Sequence, residues 1–473
     1  MIQFLLMRHE ISLLLIFVIL LVWEIFSGDK QRQAGIYFAL ALFAVHTLVG
    51  FLPMDEGSLF GGSFHTSGMI HLFKNVLNAG VLIVLLQSMD WLKDKVVHYR
   101  KTNEFFLLLF ASLMGMYYMV SAGEFLMFYL GLELSTLPLI GLVAYHTYSF
   151  KGTEAAVKLI LSAALASGTS LFGLSMLYAT GGDLTFAGMA SNLKFSPLAV
   201  MGLAFMFSGI GFKISLAPFH FWTADVYEGA PTGITSYLSV ISKASAVFIL
   251  MTLLFTVFPV LTPWWRYMVW WVAVLTMFVG NLFALRQQNM KRFLAFSSVA
   301  QAGFMMMGII NADTLGYTSV VYFLLIYIFS NLGAFGVVQA IENETGKVNM
   351  EDYTGLYRTN PKLSLVLLLS LFSLAGIPPL AGFFGKFFLY TAAAQKGYYL
   401  LVFLGVVNVT ISLYYYLLPV RAMFLRKSEN PIPHFESRPG MRIALVIIVV
   451  GLLLLGLFSP LYEYISELST RIL

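Results

Sequence analysis

Long apolar stretches follow one another along the whole chain, separated by short polar segments. A helix that crosses the hydrocarbon core of a bilayer needs about 20 predominantly apolar residues. The pattern predicts fourteen such helices, near residues 11–27, 34–53, 68–88, 104–121, 123–145, 155–179, 198–221, 232–258, 266–285, 291–311, 315–341, 361–390, 398–423 and 442–464. The sequence therefore predicts an all-α integral membrane protein.

Composition agrees with this prediction and narrows the chemistry. Apolar residues make up 59% of the chain and charged residues only 11%, against about 25% charged residues in soluble domains. None of the 473 residues is cysteine, which excludes disulfides and thiolate-bound iron–sulfur clusters. No run of like charge points to nucleic acid. Any electron transfer is therefore expected in another chain.

The basic residues between the predicted spans predict the orientation. Most loop lysines and arginines lie in the loops that follow the odd-numbered spans, including segments 89–103 and 425–441. Cytoplasmic loops carry the excess of Lys and Arg. Both termini are therefore predicted on the non-cytoplasmic side.

Five lysines lie inside predicted spans: Lys74, Lys158, Lys213, Lys243 and Lys386. A charged residue at the bilayer centre costs about 2.5 to 3.5 kcal/mol on insertion scales. Lys74 and Lys158 lie near span ends, where snorkelling to the headgroups or local pairing can account for them. Lys213, Lys243 and Lys386 lie deeper, and we interpret them as functional.

Glu133, in FYLGLELSTLPL, is the deepest carboxylate, since Glu24, Glu124 and Glu154 are more peripheral. At about 4 Å from a lysine it would gain about 4 kcal/mol of attraction at an effective dielectric constant near 20. Such a pair can keep a lysine charged when closed and release its proton when opened.

Two spans carry proline interruptions next to a deep lysine. Pro218 follows Lys213 by five residues, and Pro378 and Pro379 precede Lys386. Interrupted spans at matching positions indicate inverted repeats with the ion path at the break. The predicted units are 1–103, a first repeat at 104–258, a second repeat at 259–424, and 425–473.

Polar residues at similar depth could complete a relay between these sites. The candidates are His220, Ser242 and Gln301, with Ser297 and Ser298 nearby. Individually, each is better explained as an interhelical hydrogen bond than as a proton carrier. The relay therefore remains a hypothesis at this stage.

Four motifs carry a resemblance to a known family. The stretches GFKISLAPFHFWTADVYEGAPTGITSYLSVISKASAV, FYLGLELSTLPLIGL, RFLAFSSVAQAGFMMMG and LAGIPPLAGFFGKF closely resemble the antiporter-like subunits of respiratory complex I, and the match runs in order over nearly the whole chain. The N-type is the most similar. The M-type carries a glutamate where Lys386 stands, and the L-type has a long C-terminal extension with a lateral helix.

The resemblance implies a fold, an activity and roles for particular residues. The fold would be fourteen helices with two inverted five-helix repeats, and the activity proton translocation in NADH:quinone oxidoreductase, without a redox centre in this chain. Glu133 and Lys213 would form the coupling pair, Lys243 the central relay and Lys386 the exit-side lysine. Glu154 and Lys158 would link to a neighbouring subunit.

The resemblance also implies cofactors, partners and a location. NADH, FMN, iron–sulfur clusters and quinone would be bound by partner subunits, and no metal is expected here. The partners would be an M-type antiporter-like subunit and small K-, J- and A-type subunits, in a bacterial cytoplasmic membrane. Two alternatives stay open, a subunit of a multisubunit Na⁺/H⁺ antiporter and a structural scaffold; flavin and iron–sulfur absorbance in the purified assembly would distinguish the first alternative.

Overall fold

The computed structural model describes residues 2–26, 32–93, 102–146 and 149–472, most of which lie in helices. The α-helices are α1 Arg8–Phe26, α2 Arg32–Gly50, α3 Gly68–Trp91, α4 Thr102–Val120, α5 Phe125–Val143, α6 Phe150–Gly181, α7 Phe186–Asn192, α8 Pro197–Ile214, α9 Phe221–Gly229, α10 Thr232–Tyr237, α11 Lys243–Thr252, α12 Thr262–Ala284, α13 Met290–Ile309, α14 Thr314–Thr345, α15 Leu356–Thr359, α16 Pro361–Ala375, α17 Ala381–Gln395, α18 Tyr399–Phe424, α19 Pro439–Leu457 and α20 Pro460–Thr470.

Shorter elements complete the description. Two π-helical segments, Leu238–Ser242 and Leu253–Val257, flank α11 within one continuous helical rod. Short 3₁₀ helices cover Ile2–Met7, Phe60–Gly62, Pro259–Leu261 and Met350–Tyr353. The strands β1 Gly57–Leu59 and β2 Phe64–Thr66 form an antiparallel hairpin in which Gly57 pairs with Thr66.

A helix stands at every predicted span. Among the described residues, twelve helical rods are long and apolar enough to cross a membrane, and two further apolar helices, Ala34–Gly50 and Pro361–Ala375, are shorter. The predicted all-α membrane fold is confirmed. The count of fourteen spans, the inverted repeats and the unit boundaries at 103, 258 and 424 stay predictions.

Burial shows which rods form the centre of the bundle. In the most apolar window of α14, 94% of the residues are buried, and the rods Thr232–Val257 and Met290–Ile309 reach 89%. The corresponding share is 22% for α6, because its apolar surface faces outward. Lys243 and α13 are therefore at the core of the bundle, and α6 is at its periphery.

Small residues let neighbouring helices approach closely. A Cβ on Gly115 of α4 would lie 2.2 Å from the backbone nitrogen of Ser135 on α5, and a Cβ on Gly280 of α12 would lie 2.4 Å from that of Ala300 on α13. Small residues at such contacts are characteristic of helix packing in membranes. The first contact fixes the segment that carries Glu133 against α4.

Both predicted helix breaks are present. The helix α8 ends at Ile214 and α9 begins at Phe221, while α16 ends at Ala375 and α17 begins at Ala381. A left-handed residue follows each ended helix, Ser215 with φ 66° and Gly376 with φ 85°. This is a common way for a helix to stop. The peptide bonds Ala217–Pro218 and Pro378–Pro379 are cis.

Candidate functional site

Lys243 lies at the first position of α11, directly after the π-helical segment Leu238–Ser242. Its side chain is 0% exposed. The ammonium donates hydrogen bonds to Ser298 on α13, at 2.9 Å to Oγ and 3.1 Å to the carbonyl oxygen. A π-helical turn inside a helix often marks a functional site. The described residues contain no acidic side chain in ion-pair contact with Lys243.

Lys386 is bound by the end of the broken helix. Its ammonium donates to the carbonyl oxygens of Leu374 at 2.8 Å and Ala375 at 3.2 Å. These belong to the last turn of α16, whose carbonyls have no partner within the helix. The ammonium also lies 4.6 Å from the centre of the Phe304 ring. A cation at a helix C-terminus is favoured by the helix dipole, so the break creates a binding site for this lysine.

Hydrogen bonds connect the surroundings of these two lysines along α13. Ser297, the neighbour of Ser298, lies 2.6 Å from the Tyr416 hydroxyl. Gln301 donates to that hydroxyl at 3.0 Å and to the Leu374 carbonyl at 3.0 Å, and the same carbonyl accepts from Lys386. The hydrogen-bonded chain therefore runs from Ser297, the sequence neighbour of the serine that binds Lys243, to the acceptor of Lys386.

Lys213 occupies the last turn of α8, ahead of its break. It is 6% exposed, and it donates to the hydroxyls of Ser135 at 2.7 Å and Thr136 at 2.8 Å. Both acceptors lie on α5. Unlike Lys386, Lys213 is therefore bound by side chains.

The expected contact between Glu133 and Lys213 is not present in this structure. Both residues are described, and they form no ion pair, because the Glu133 carboxylate accepts a hydrogen bond from Ser167 on α6 instead. The two side chains line a shared cavity of about 10 Å³, close to the smallest volume that holds one water molecule. The pair is thus arranged as neighbours across a small cavity.

Two of the predicted relay residues lie apart from the polar chain. His220 is 7% exposed at the start of α9, and Ser242 is 3% exposed one residue before Lys243. Among the described residues, no hydrogen bond of the three deep lysines involves His220 or Ser242. Gln301 is the predicted relay residue that the structure places between two lysines.

Glu154 and Lys158 belong to a larger group, which we call the charge cluster. Lys158 pairs with Glu154 at 2.8 Å and with Asp225 at 2.6 Å. Arg292 then pairs with Asp225 at 2.7 Å and with Glu228 at 2.9 Å, and Lys151 pairs with Glu228 at 2.9 Å. Lys158 is 42% exposed, so local pairing explains it. The cluster joins α6, α9 and α13 at one end of the bundle.

A polar cavity of about 300 Å³ adjoins the charge cluster. On its wall, the buried Lys291 donates to the Ala230 carbonyl at 2.9 Å and pairs with Glu342 at 3.5 Å. Thr232, the first residue of α10, donates to the same carboxylate. The cavity therefore opens onto the rod that carries Lys243.

Several of these residues are not among the sequence candidates. Glu228, Lys291, Arg292 and Glu342 lie near helix ends, and Asp225 lies in the short helix α9; charged residues are ordinary at such positions and give no signal in a single sequence. Of the two explanations given for Lys74 from the sequence, snorkelling and pairing, the structure supports pairing. Lys74 is 0% exposed and pairs with Glu10 on α1, a partner 64 residues away in sequence.

Comparison with known proteins identifies the family. A family model described as NADH:quinone oxidoreductase/Mrp antiporter, TM, matches residues 122–412. An NADH-quinone oxidoreductase subunit N from Phocaeicola vulgatus is 47% identical, covering 98% of this chain and 98% of the relative. This chain belongs to the NADH-quinone oxidoreductase subunit N family.

Solved structures agree with membership of the subunit N family. A chain of respiratory complex I from Thermus thermophilus, with bound aureothin, is 31% identical and superposes with a TM-score of 0.79, covering 96% of this chain and 98% of that one. A chain of the Mrp complex from Dietzia, 20% identical, has a TM-score of 0.84 and covers 99% of this chain and 97% of that one. The second likeness shows the fold alone.

Proposed function

We propose that this chain is a proton translocase subunit of a bacterial NADH-quinone oxidoreductase, moving protons through buried lysines while quinone is reduced elsewhere in the complex. The observation that carries this proposal is the hydrogen-bonded chain from Ser297 to the carbonyl that binds Lys386, which begins one residue from the Ser298 that binds Lys243. A cation buried without a carboxylate partner is expensive in a membrane protein and usually functional. Lys243 and Lys386 are two such residues, and the hydroxyls of Ser298, Ser297 and Tyr416, which can exchange protons, lie between them.

The polar cavity beside Glu342 supplies an entrance in this account. It adjoins the beginning of the rod that carries Lys243, and its wall combines Lys291, Glu342 and Thr232. A proton would pass from this end to Lys243, along the serine, tyrosine and glutamine chain, and leave by way of Lys386. In this proposal the entrance lies on the cytoplasmic side, because cytoplasmic loops carry the excess of Lys and Arg.

The pair Glu133 and Lys213 acts as the switch in this proposal. The two residues line one cavity, so a small movement of α5 against α8 changes their separation. At contact distance their attraction reaches about 4 kcal/mol at an effective dielectric constant near 20. Moving one charge against 100 mV takes about 2.3 kcal/mol, so the energy of the switch is sufficient.

Redox chemistry belongs to other subunits in this proposal. The absence of cysteine from the sequence leaves iron–sulfur clusters to partner chains, and NADH, FMN and quinone are assigned to partners as well. The neighbours would be an M-type antiporter-like subunit and small K-, J- and A-type subunits. The charge cluster around Lys158 is partly exposed, which suits a contact with a neighbour.

The proposed orientation has a direct test. Labels attached within residues 89–103 and 425–441 should react from the cytoplasmic side, and labels at both termini from the other side, because the basic loops lie in the cytoplasm. A terminus that reacts only from the cytoplasm would contradict the span count.

The proposed function is tested by Lys213→Ala in the intact complex, with quinone reduction and proton translocation measured in the same vesicles. We expect the variant to assemble and translocate fewer protons per quinone reduced. Lys194→Ala, which changes an exposed loop lysine, is the matched control and should behave as the parent. An unchanged proton ratio in Lys213→Ala would contradict the proposal.

A further inference from the structure

A second group of titratable side chains is buried among the first four helices, away from the lysine axis. It lies where α1 and α3 begin and where α2 and α4 end. We call it the amino-terminal cluster, and it consists of His9, Glu10, His46, His71, Lys74, Asn78 and Tyr117. Nothing in the route from Lys213 to Lys386 uses these residues.

An ion pair forms the deepest part of the cluster. Lys74 is 0% exposed and Glu10 is 2% exposed, and the ammonium lies 5.2 Å from the centre of the Phe64 ring. Replacing a buried ion pair with apolar residues is often neutral or stabilising, so stability alone gives little reason for it. One Glu10 carboxylate oxygen, Oε2, is buried without a hydrogen-bond partner. That oxygen is available to bind a proton.

Histidines extend from the pair towards the end of the bundle. His71, only half-buried, has its Nδ1 at 3.0 Å from Nε2 of His9. The rings of His9 and His46 meet edge to face at 6.0 Å. His46 then contacts the Tyr117 hydroxyl at 3.1 Å. A series of exchangeable groups therefore leads from a partly exposed histidine into the helix interior.

Charged and titratable groups surround the pair from the four helices α1 to α4. They are Arg8 and His9 on α1, His46 on α2, His71 on α3, and Tyr117 and Tyr118 on α4. The carboxylate that these groups surround is Glu10. Arg8 donates hydrogen bonds to the backbone carbonyls of Pro53 and Leu52 at the surface. The pair is thus surrounded by rings and hydroxyls that can exchange protons with it.

Helix α4 connects the cluster with the first-half lysine. Five residues before Tyr117, Ser112 donates to the Ser135 carbonyl at 2.9 Å, and the Ser135 hydroxyl accepts from Lys213 at 2.7 Å. Tyr237 reaches Ser112 at 3.4 Å. Since no hydrogen bond of the described residues joins Tyr117 to Tyr237, the helix itself is the link. The helix α4 therefore contacts both the cluster and the segment that binds Lys213.

We propose that the amino-terminal cluster is a second proton-binding site, which exchanges a proton with the side of the membrane where α1 begins and does so in step with the charge of Lys213. This inference rests on the proposed function. Its ligand is the proton, bound by Glu10 with Lys74 and reached through His71 and His9. The site adds a group that stores charge on the side opposite to the polar cavity.

The test uses the intact complex in sealed vesicles and the double variant Glu10→Gln/Lys74→Met. Removing both charges together avoids an unpaired buried charge, which is strongly destabilising. Fewer protons should be translocated per quinone reduced. Thr47→Val is the matched control, because this buried hydroxyl on α2 donates to the Phe43 carbonyl of its own helix at 2.9 Å, and it should equal the parent.

A second variant keeps the inference testable if the double variant does not assemble. His9→Gln leaves the ion pair intact and removes the titratable ring that contacts His71, so the proton ratio should fall here too. A proton ratio equal to that of the parent in every assembled variant would overturn the inference. A loss of translocation that appears only in sodium-free buffer would overturn it too, because the site would then involve sodium. If Lys213→Ala lowers the ratio and the cluster variants do not, the inference fails and the proposed function stands.

The accessibility of the site is measured separately. Because the chain has no cysteine, a single His71→Cys variant can be labelled with a membrane-impermeant thiol reagent and read on this chain by mass. We expect labelling from the side where α1 begins. Labelling from the opposite side alone would overturn the inference, whatever the result for Lys213→Ala.

Discussion

The two broken helices place their lysines on opposite sides of the break. Lys213 lies in the last turn of α8, before the break, whereas Lys386 lies in α17, after it. Both ended helices stop on a left-handed residue, Ser215 in the first half and Gly376 in the second. The breaks are therefore alike in backbone geometry, but they present their lysines to different surroundings.

The partners of the two lysines differ in kind. Lys386 donates to two main-chain carbonyls of α16, which side-chain substitution cannot remove. Lys213 donates to two hydroxyls and shares a cavity with Glu133. The binding site of Lys386 is fixed by the fold, while that of Lys213 depends on side chains that can move. This difference favours Lys213 as the switch and Lys386 as the fixed end of the path.

The left-handed residue at the end of each broken helix also differs between the two halves. A Cβ on Gly376 would lie 3.1 Å from Cδ of Lys386, so the lysine stem needs the space that glycine leaves. In the first half the position is occupied by Ser215, a side chain in the same left-handed conformation. At the second break, the missing side chain of glycine makes room for the lysine. The first break does not require a glycine.

The largest effect is expected from Glu133→Gln, which removes the charge that faces Lys213. At somewhat more than contact distance the lost attraction is on the order of 2 kcal/mol, or about thirtyfold in an equilibrium. Proton translocation in vesicles should fall strongly, and Glu133→Asp should retain part of it. Unchanged translocation in Glu133→Gln would mean that the two halves do not differ as described.

A smaller effect is expected from Gly376→Ala. A residue with a Cβ in the left-handed region costs about 1 to 2 kcal/mol, and here the methyl group also meets the Lys386 stem. The complex should lose thermal stability and translocate less. Ser215→Ala is the matched control, since that position already carries a Cβ. If Gly376→Ala and Ser215→Ala had equal effects, the proposed difference between the two breaks would be contradicted.

The smallest effect is expected from Ser135→Ala, which removes one of the two hydroxyl acceptors of Lys213. A hydrogen bond lost from a charged donor costs about 1.5 kcal/mol at most when a second acceptor remains. Translocation should fall moderately, and Ser135→Thr should restore it. A loss as large as that of Glu133→Gln would place the control of Lys213 in the hydroxyl instead of the carboxylate.

The apolar pattern predicts the helices well, because a membrane span is defined by length and composition. Pro218, Pro378 and Pro379 likewise predict both breaks, since proline cannot continue a helix without loss. The same residues do not reveal that Lys386 binds the carbonyls of α16, because this contact depends on how α17 returns against the helix end.

Contacts between distant segments lie beyond the reach of the sequence. The pair of Glu10 and Lys74 joins α1 to α3, and nothing local marks either residue as a partner. Glu133 was expected against Lys213, but its side chain turns to Ser167 on α6. In each case the decisive factor is which helix face meets which neighbour, and one sequence does not specify that.

The most direct test of the account is Lys243→Arg in the intact complex, with proton translocation and quinone reduction measured together. Arginine holds its proton at any physiological pH, whereas a buried lysine can release one. The account predicts that the Arg variant assembles but translocates poorly, and that Lys243→His, which can titrate near neutrality, recovers part of the flux. Full translocation by Lys243→Arg would show that Lys243 is only a structural cation, and would contradict the account.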